Sequence, residues 1–144
     1  MILAALAVGT ALVAALGCVH HYALYALGSA VPRPDDNSSL TIQLTFLGLL
    51  LLHVVEILVL AAANGWLLTW EGFGGTVDEQ LIWGDVLYLT GVNFTTLGYA
   101  RIELAGPVRI VTMLQSLGGF MLLTWSATYL FTVSQRSWRR VEDE

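Results

Sequence analysis

An all-α membrane protein with three membrane-spanning helices is the fold that this sequence predicts. Apolar residues make up 56% of the 144 residues and charged residues only 12%, whereas soluble domains usually carry about 25% charged residues. The chain has no lysine, and its arginines lie outside the long apolar stretches or at their edges. The composition therefore excludes an ordinary soluble domain, and the net charge of −5 gives no reason to expect a nucleic-acid partner.

Three apolar stretches are longer than the roughly 20 residues that a spanning helix needs. They cover residues 1–30, about 40–70 and about 107–135, and their only charged side chains are Glu56 and Arg109. The first stretch has no basic residue before its apolar core, so we expect a retained helix rather than a cleaved signal peptide.

A fourth apolar segment covers about residues 81–97 and is interrupted by Gly84, Asp85 and Gly91. It is too short to span a bilayer, so we expect it to enter the membrane and return on the same side.

A short motif follows this re-entrant segment and lies between two of the long stretches. It consists of Thr95-Thr96-Leu97-Gly98-Tyr99-Ala100. The motif resembles the selectivity filter of potassium channels, whose pattern is Thr-x-Gly-Tyr-Gly. Its setting is also similar to the pore-loop potassium channel superfamily, in the small bacterial form with two spanning helices, to which this chain adds one N-terminal helix. As in that family's inner helix, an arginine near the start (Arg109) is followed ten residues later by a glycine (Gly119).

The resemblance implies a homotetramer in which four copies of the loop surround one pore. Backbone carbonyls would then replace the hydration shell of a permeant K⁺ ion. The resemblance also implies that the helix leading into the loop ends near Phe94. The implied ion-binding residues are Thr96, Leu97, Gly98 and Tyr99; the implied filter support and mouth are Thr95, Ala100, Arg101 and Glu103; and Gly118 and Gly119 are the implied gating hinge. Membrane lipids and monovalent cations are the expected partners, and no cofactor beyond the permeant ion is implied.

Two residues depart from the family pattern. Ala100 replaces the second filter glycine, and alanine at positive φ costs about 1 kcal/mol or more. Arg101 stands where the family usually has aspartate, so four copies would place positive charge around the pore mouth unless Glu103, Asp78 or Glu79 neutralises it. These departures leave two alternatives: a K⁺ channel with low conductance or weaker selectivity, or a non-conducting or pH-sensing channel-like subunit. We expect no enzyme, because the sequence has no nucleophile–base set, nucleotide-binding loop or metal-hydrolase spacing.

Ionisable side chains also lie within the predicted spans. His53 and Glu56 are three residues apart and share a helix face. His20 and His21 on the first helix lie at a similar depth, if each helical residue advances about 1.5 Å. We therefore expect Glu56 to pair with His53 or with a histidine of the first helix. The group could be a buried hydrogen-bonded clamp, a proton sensor or a metal site, although the sequence shows fewer ligands than a tetrahedral cage needs.

The basic residues indicate the orientation in the cell membrane, plasma or inner. Arg136, Arg139 and Arg140 directly follow the last span, which predicts a cytoplasmic C-terminus and an external N-terminus. The sequence accordingly divides into an extra N-terminal helix (1–30), a cytoplasmic linker (31–39), an ion channel pore domain (40–135) and a short cytoplasmic tail (136–144).

Overall fold

Within the part of the chain that the structure describes, the fold consists of three long helices and one short helix that packs between two of them. The structure, a computed structural model, describes residues 1–31, 38–76, 81–98 and 102–143. Its helices are α1 (Ile2–Ala30), α2 (Ser38–Leu67), α3 (Trp83–Phe94) and α4 (Val108–Asp143). Ile2–Ala30, Ser39–Leu67 and Val108–Ser137 are long and apolar enough to cross a membrane. The predicted all-α fold with three spans is therefore confirmed, and the chain is a multi-pass membrane protein.

Helix α1 runs parallel to α4 and packs against it along most of its length. The contact residues advance together on both helices: Gly9 lies against Leu114, and further along the pair Val13 lies against Gly118. The buried residues of α1 recur mainly at four-residue intervals, which is the spacing of one helix face; they are Ala5, Gly9, Leu16, His20 and Leu24. The extra N-terminal helix thus covers one side of α4.

Helix α2 runs antiparallel to α1, so early residues of one meet late residues of the other. Leu27 near the end of α1 lies against Gly48 near the start of α2, whereas Ala5 and Leu67 share one buried apolar cluster. A second cluster, near the middle of the bundle, joins all four helices and contains Leu16, Leu60, Phe94 and Leu122. The end of α3 is therefore part of the central core.

A two-residue strand pair fixes the loop that precedes α3 to the segment that precedes α4. Strand β1 (Gly75–Thr76) pairs antiparallel with β2 (Leu104–Ala105). Beside it, the backbone N–H of Val108 donates to the carbonyl oxygen of Phe73 at 2.9 Å. Because both ends of the segment that contains α3 are attached here, the chain enters and leaves this segment on the same side of the bundle.

Two helix ends differ from the sequence-based boundaries. Helix α2 ends at Leu67 instead of near residue 70. A turn follows Leu67, in which the Thr69 hydroxyl donates to the carbonyl oxygen of Trp66 at 2.7 Å. Helix α4 continues to Asp143, well past residue 135, because residues 136–143 contain no glycine or proline to end it. The predicted tail is thus a continuation of α4. Most of the predicted linker, residues 32–37, lies outside the described residues.

Candidate functional site

Helix α3 ends at mid-membrane depth. Its 12 residues span about 18 Å at 1.5 Å per residue, well short of the roughly 30 Å hydrocarbon core. The ring of its last residue, Phe94, lies 5.8 Å from the ring of His53, and its backbone contacts α4 at Gly119. His53 lies in the middle third of α2, and Gly119 lies in the middle third of the spanning segment Val108–Ser137. The predicted end of the re-entrant helix near Phe94 is therefore confirmed.

A Schellman motif turns the chain at the end of α3. The N–H of Leu97 donates to the carbonyl of Val92 at 3.1 Å, and the N–H of Thr96 donates to that of Asn93 at 3.0 Å. These two bonds satisfy carbonyls that a helix end leaves open. Thr96 adopts a φ of 58° at the position usually held by glycine, which is uncommon for a β-branched residue. The local sequence thus holds Thr96 in a strained conformation.

The described part of the predicted filter, residues 95–98, which we call the filter segment, is exposed within the single chain. The backbone has positive φ at Thr96 and again at Gly98 (67°), but not at Leu97 between them. Leu97 is 73% exposed, so the segment has few contacts with its own subunit. Of the other residues predicted for the filter, Tyr99, Ala100 and Arg101 lie outside the described residues.

A cavity of about 470 Å³ separates the filter segment from α4. Gly98 and Glu103 line one side, and Arg109 and Ser116 of α4 line the other. Glu103 and Arg109 are exposed, so their charges lie at an accessible opening. The predicted mouth residue Glu103 is therefore placed beside the filter segment and faces the same space as Arg109.

The two glycines predicted as a gating hinge lie within the continuous helix α4, and each permits a close contact. A Cβ on Gly119 would overlap the carbonyl oxygen of Phe94, and one on Gly118 would lie 2.7 Å from the side chain of Val13. Gly119 therefore lets α4 contact the end of α3, while Gly118 lets α4 contact α1. Hinge motion stays a prediction.

A buried amide pair joins α2 to α4, and a threonine hydroxyl extends the network to α3. Asn64 and Gln115 exchange two hydrogen bonds, at 2.9 Å from Asn64 Nδ2 to Gln115 Oε1 and at 2.8 Å from Gln115 Nε2 to Asn64 Oδ1. Asn64 Nδ2 also donates to the hydroxyl of Thr90 at 3.0 Å, and that hydroxyl donates to the carbonyl of Val86. All three side chains are at most 3% exposed. The network fixes the position of α3 between α2 and α4.

A second polar group, the histidine cluster of His20, His53 and Glu56, joins α1 to α2. Nδ1 of His20 lies 2.7 Å from Oε1 of Glu56, and Nδ1 of His53 lies 2.8 Å from Oε2. Glu56 therefore pairs with histidines of both helices. The other ring nitrogen of His20, Nε2, is 3.3 Å from the hydroxyl of Ser126 on α4. His20 is fully buried, Glu56 is 1% exposed and His53 is 14% exposed.

His21 was predicted with this group but lies outside it. It is exposed, and its ring contacts Tyr22 and Trp125 rather than the carboxylate. Trp125 also lies 5.4 Å from the ring of His20. On one helix, adjacent residues point in directions about 100° apart, so only one of the two histidines can face α2.

A protein-family model described as "Ion channel" matches residues 52–136. This range is more than half of the chain and contains α3, the filter segment and most of α4. The chain belongs to this ion channel family. Searches of curated proteins and of solved structures found no match. Helix α1 lies outside the matched range.

Reasoning from the sequence alone missed two important residues of this ion channel. Asn64 and Thr90 were not singled out, although Asn64 is a lone amide among apolar residues near the end of a span. Such a group is costly to bury without a partner, and this cost was the available signal. Gln115 and Ser126 on α4 both bond across helices.

The amide pair should make the stability effects of its two residues interdependent. Asn64→Leu should lower the free energy of unfolding by about 1–3 kcal/mol, because it leaves the Gln115 amide buried without its partner. Adding Gln115→Leu should then cost less than Gln115→Leu does alone. We expect a coupling of about 1–2 kcal/mol, measured by reversible unfolding in detergent micelles. Strictly additive effects would show that the pair does not hold the helices together.

Proposed function

We propose that the chain is one subunit of a homotetrameric channel that conducts K⁺, or monovalent cations with weaker selectivity, passively across the cell membrane. The carbonyl oxygens of Thr96, Leu97, Gly98 and Tyr99 would form the ion sites, with Thr95, Ala100, Arg101 and Glu103 supporting the filter and its mouth. The coarser conclusion, that the protein is an ion channel, rests on its family.

The observation that carries the proposal is the exposed backbone after Phe94. Residues 95–98 leave the helix at mid-membrane depth and are exposed within one chain. Non-helical backbone at this depth is stable only when it is buried in protein or lines a watery path, because lipid offers no hydrogen bonds. Further copies of the same segment around an axis would meet both conditions at once, since protein would flank each segment and water and ions would fill the centre.

The backbone conformation of the segment is a second support. Positive φ at Thr96 and Gly98, separated by Leu97, is the alternation that the family resemblance implies for a filter whose carbonyls all face one way. Glycine reaches positive φ without steric cost, and the Schellman bonds of α3 hold Thr96 there.

A third support is the face of α4 that the single chain leaves uncovered. Its exposed residues recur every three to four positions and include Met113, Leu117, Met121, Thr124, Thr128 and Thr132. The three threonine hydroxyls donate to carbonyls four residues earlier, at 2.8, 2.9 and 2.9 Å. These hydroxyls already donate hydrogen bonds within α4 and need no further partner. The uncovered face can therefore lie against a neighbouring subunit or a water-filled cavity.

The proposed orientation follows from charge. Arg136, Arg139 and Arg140 at the end of α4 favour a cytoplasmic C-terminus. Since α1 runs parallel to α4, its first residue would then be external, beside the filter mouth. Helix α1 would be an addition to a pore domain of residues 40–135.

Flux measurements from K⁺-loaded lipid vesicles test the proposal. Vesicles with the purified full-length protein should release K⁺ when a proton ionophore balances the charge, and the release should exceed that of vesicles without protein. Replacing internal K⁺ by Na⁺ should slow the release if the filter is selective. No release above the protein-free vesicles would contradict conduction by the wild-type chain.

A non-conducting subunit is the second candidate, and Arg101 is the residue that favours it, because four copies would repel cations at the mouth. The double variant Ala100→Gly/Arg101→Asp separates the two candidates. If the wild type is a poorly conducting channel, the variant should release K⁺ several-fold faster than the wild type. Release by the variant alone would show that the wild-type filter is closed, whereas release by neither would contradict a K⁺ pore in this fold.

A further inference from the structure

We propose that His20, His53 and Glu56 form a binding site for one divalent transition-metal ion, such as Zn²⁺, between α1 and α2. The three side chains direct their donor atoms at one another, and one ligand atom from each lies within 4.8 Å of the other two. The inference concerns this histidine cluster and does not require ion conduction, so its test stays informative if the proposed K⁺ function fails.

The donor set indicates the class of ion. Two imidazole nitrogens and one carboxylate suit Zn²⁺ and its neighbours in the first transition series, whereas Ca²⁺ and Mg²⁺ prefer oxygen ligands. Three protein ligands are the usual number in zinc sites that keep one position open for water. The small number of ligands in the sequence is therefore no obstacle to a site of this open kind.

Charge also favours a bound cation. With neutral imidazoles, the cluster carries the single negative charge of Glu56, and the ion-pair partners that the described residues give it are the two histidines. A carboxylate without a cationic partner is costly at this depth in a membrane. A cation held directly by the carboxylate would replace the solvation that the apolar surroundings do not supply.

Ser126 contacts one of the three ligands without being a ligand itself. Its hydroxyl lies 3.3 Å from Nε2 of His20, and a hydroxyl can either donate or accept. When Nδ1 of His20 donates to Glu56, the hydroxyl donates to Nε2. When Nδ1 binds a metal, the proton resides on Nε2 and the same hydroxyl accepts it. Such partners orient metal-binding histidines and raise their basicity, so Ser126 is a positioning residue.

A small cavity lies beside His53. A cavity of about 180 Å³ between α2 and α4 is bordered by Phe46, Leu50, His53, Ser126 and Leu130. It extends from the cluster toward the start of α2 and the later part of α4, the side proposed to be cytoplasmic. His53 is also the least buried of the three ligands. His53 is therefore the ligand that lies nearest to open space.

Metal binding to the purified full-length protein tests the site. After chelator treatment, the protein should bind one Zn²⁺ per chain in equilibrium dialysis and should unfold at a higher temperature when Zn²⁺ is present. Ser126→Ala keeps all three ligands and should weaken binding about 10–100-fold. His20→Gln should remove the binding, whereas His21→Gln, the matched control one residue away, should bind like the wild type.

Two results would overturn the proposal. The first is a folded wild-type protein that binds no Zn²⁺, which would leave the cluster as a hydrogen-bonded clamp or a proton site. The second is equal binding by the wild type and His20→Gln, which would place any bound metal elsewhere. Unfolding curves in metal-free buffer show whether His20→Gln is folded, and Ser126→Ala supplies the same comparison if it is not.

Discussion

Gly119→Ala is expected to destabilise the protein and to reduce K⁺ flux at least about tenfold, the factor that corresponds to 1.4 kcal/mol. The new methyl group would overlap the carbonyl oxygen of Phe94 and lie 2.9 Å from its Cα. Because these neighbours are backbone atoms, they cannot rotate away as a side chain can. Overpacking of this kind typically costs about 1–3 kcal/mol, and here it would displace the end of α3, from which the filter segment begins.

Two other glycines provide the controls. Gly17→Ala adds a methyl group that meets no heavy atom within 4 Å, so it should behave like the wild type. Gly118→Ala meets the movable side chain of Val13 and should have an intermediate effect. A hinge role would instead reduce flux in Gly119→Ala without changing its unfolding temperature. Wild-type flux and stability in Gly119→Ala would contradict the close contact.

Gly98→Ala is expected to remove K⁺ selectivity or most K⁺ flux while leaving the assembled protein folded. Gly98 has a φ of 67° and no atom within 4 Å of an added Cβ, so the effect would come from backbone strain rather than from a clash. An L-residue in this conformation costs about 1–2 kcal/mol. Four copies around one pore would multiply that cost to about 4–8 kcal/mol per assembly, and the filter would relax to avoid it.

Gly84→Ala is the matched control for this experiment, because Gly84 is a helical residue of α3 whose added Cβ also meets nothing. It should retain wild-type flux and wild-type selectivity, measured as the ratio of K⁺ to Na⁺ release from loaded vesicles. If Gly98→Ala conducted K⁺ with the same ratio as Gly84→Ala, the positive φ of Gly98 would have no part in ion selection.

The sequence alone was enough to locate the long helices and the end of α3. Hydropathy over about 20 residues depends only on composition, which is why the three spans were found. The pairing of Glu56 with histidines followed from depth, because helical rise is constant and a buried charge needs a partner.

What the sequence could not provide was the rotation of each helix about its axis. That rotation decides that His20 rather than His21 meets Glu56, that Asn64 meets Gln115, and that Gly119 lies against Phe94. It is set by packing among all four helices, and neither periodicity nor composition encodes it. The two-residue strand pair was missed because it is too short to leave an alternating pattern.

A density map of the purified protein in K⁺ solution tests the central claim most directly. The account predicts a fourfold axis, with ion density on that axis between the backbone oxygens of residues 96–99 and with α1 on the outer side of α4. An assembly without fourfold symmetry, or one in which these oxygens turn away from the axis, would contradict it.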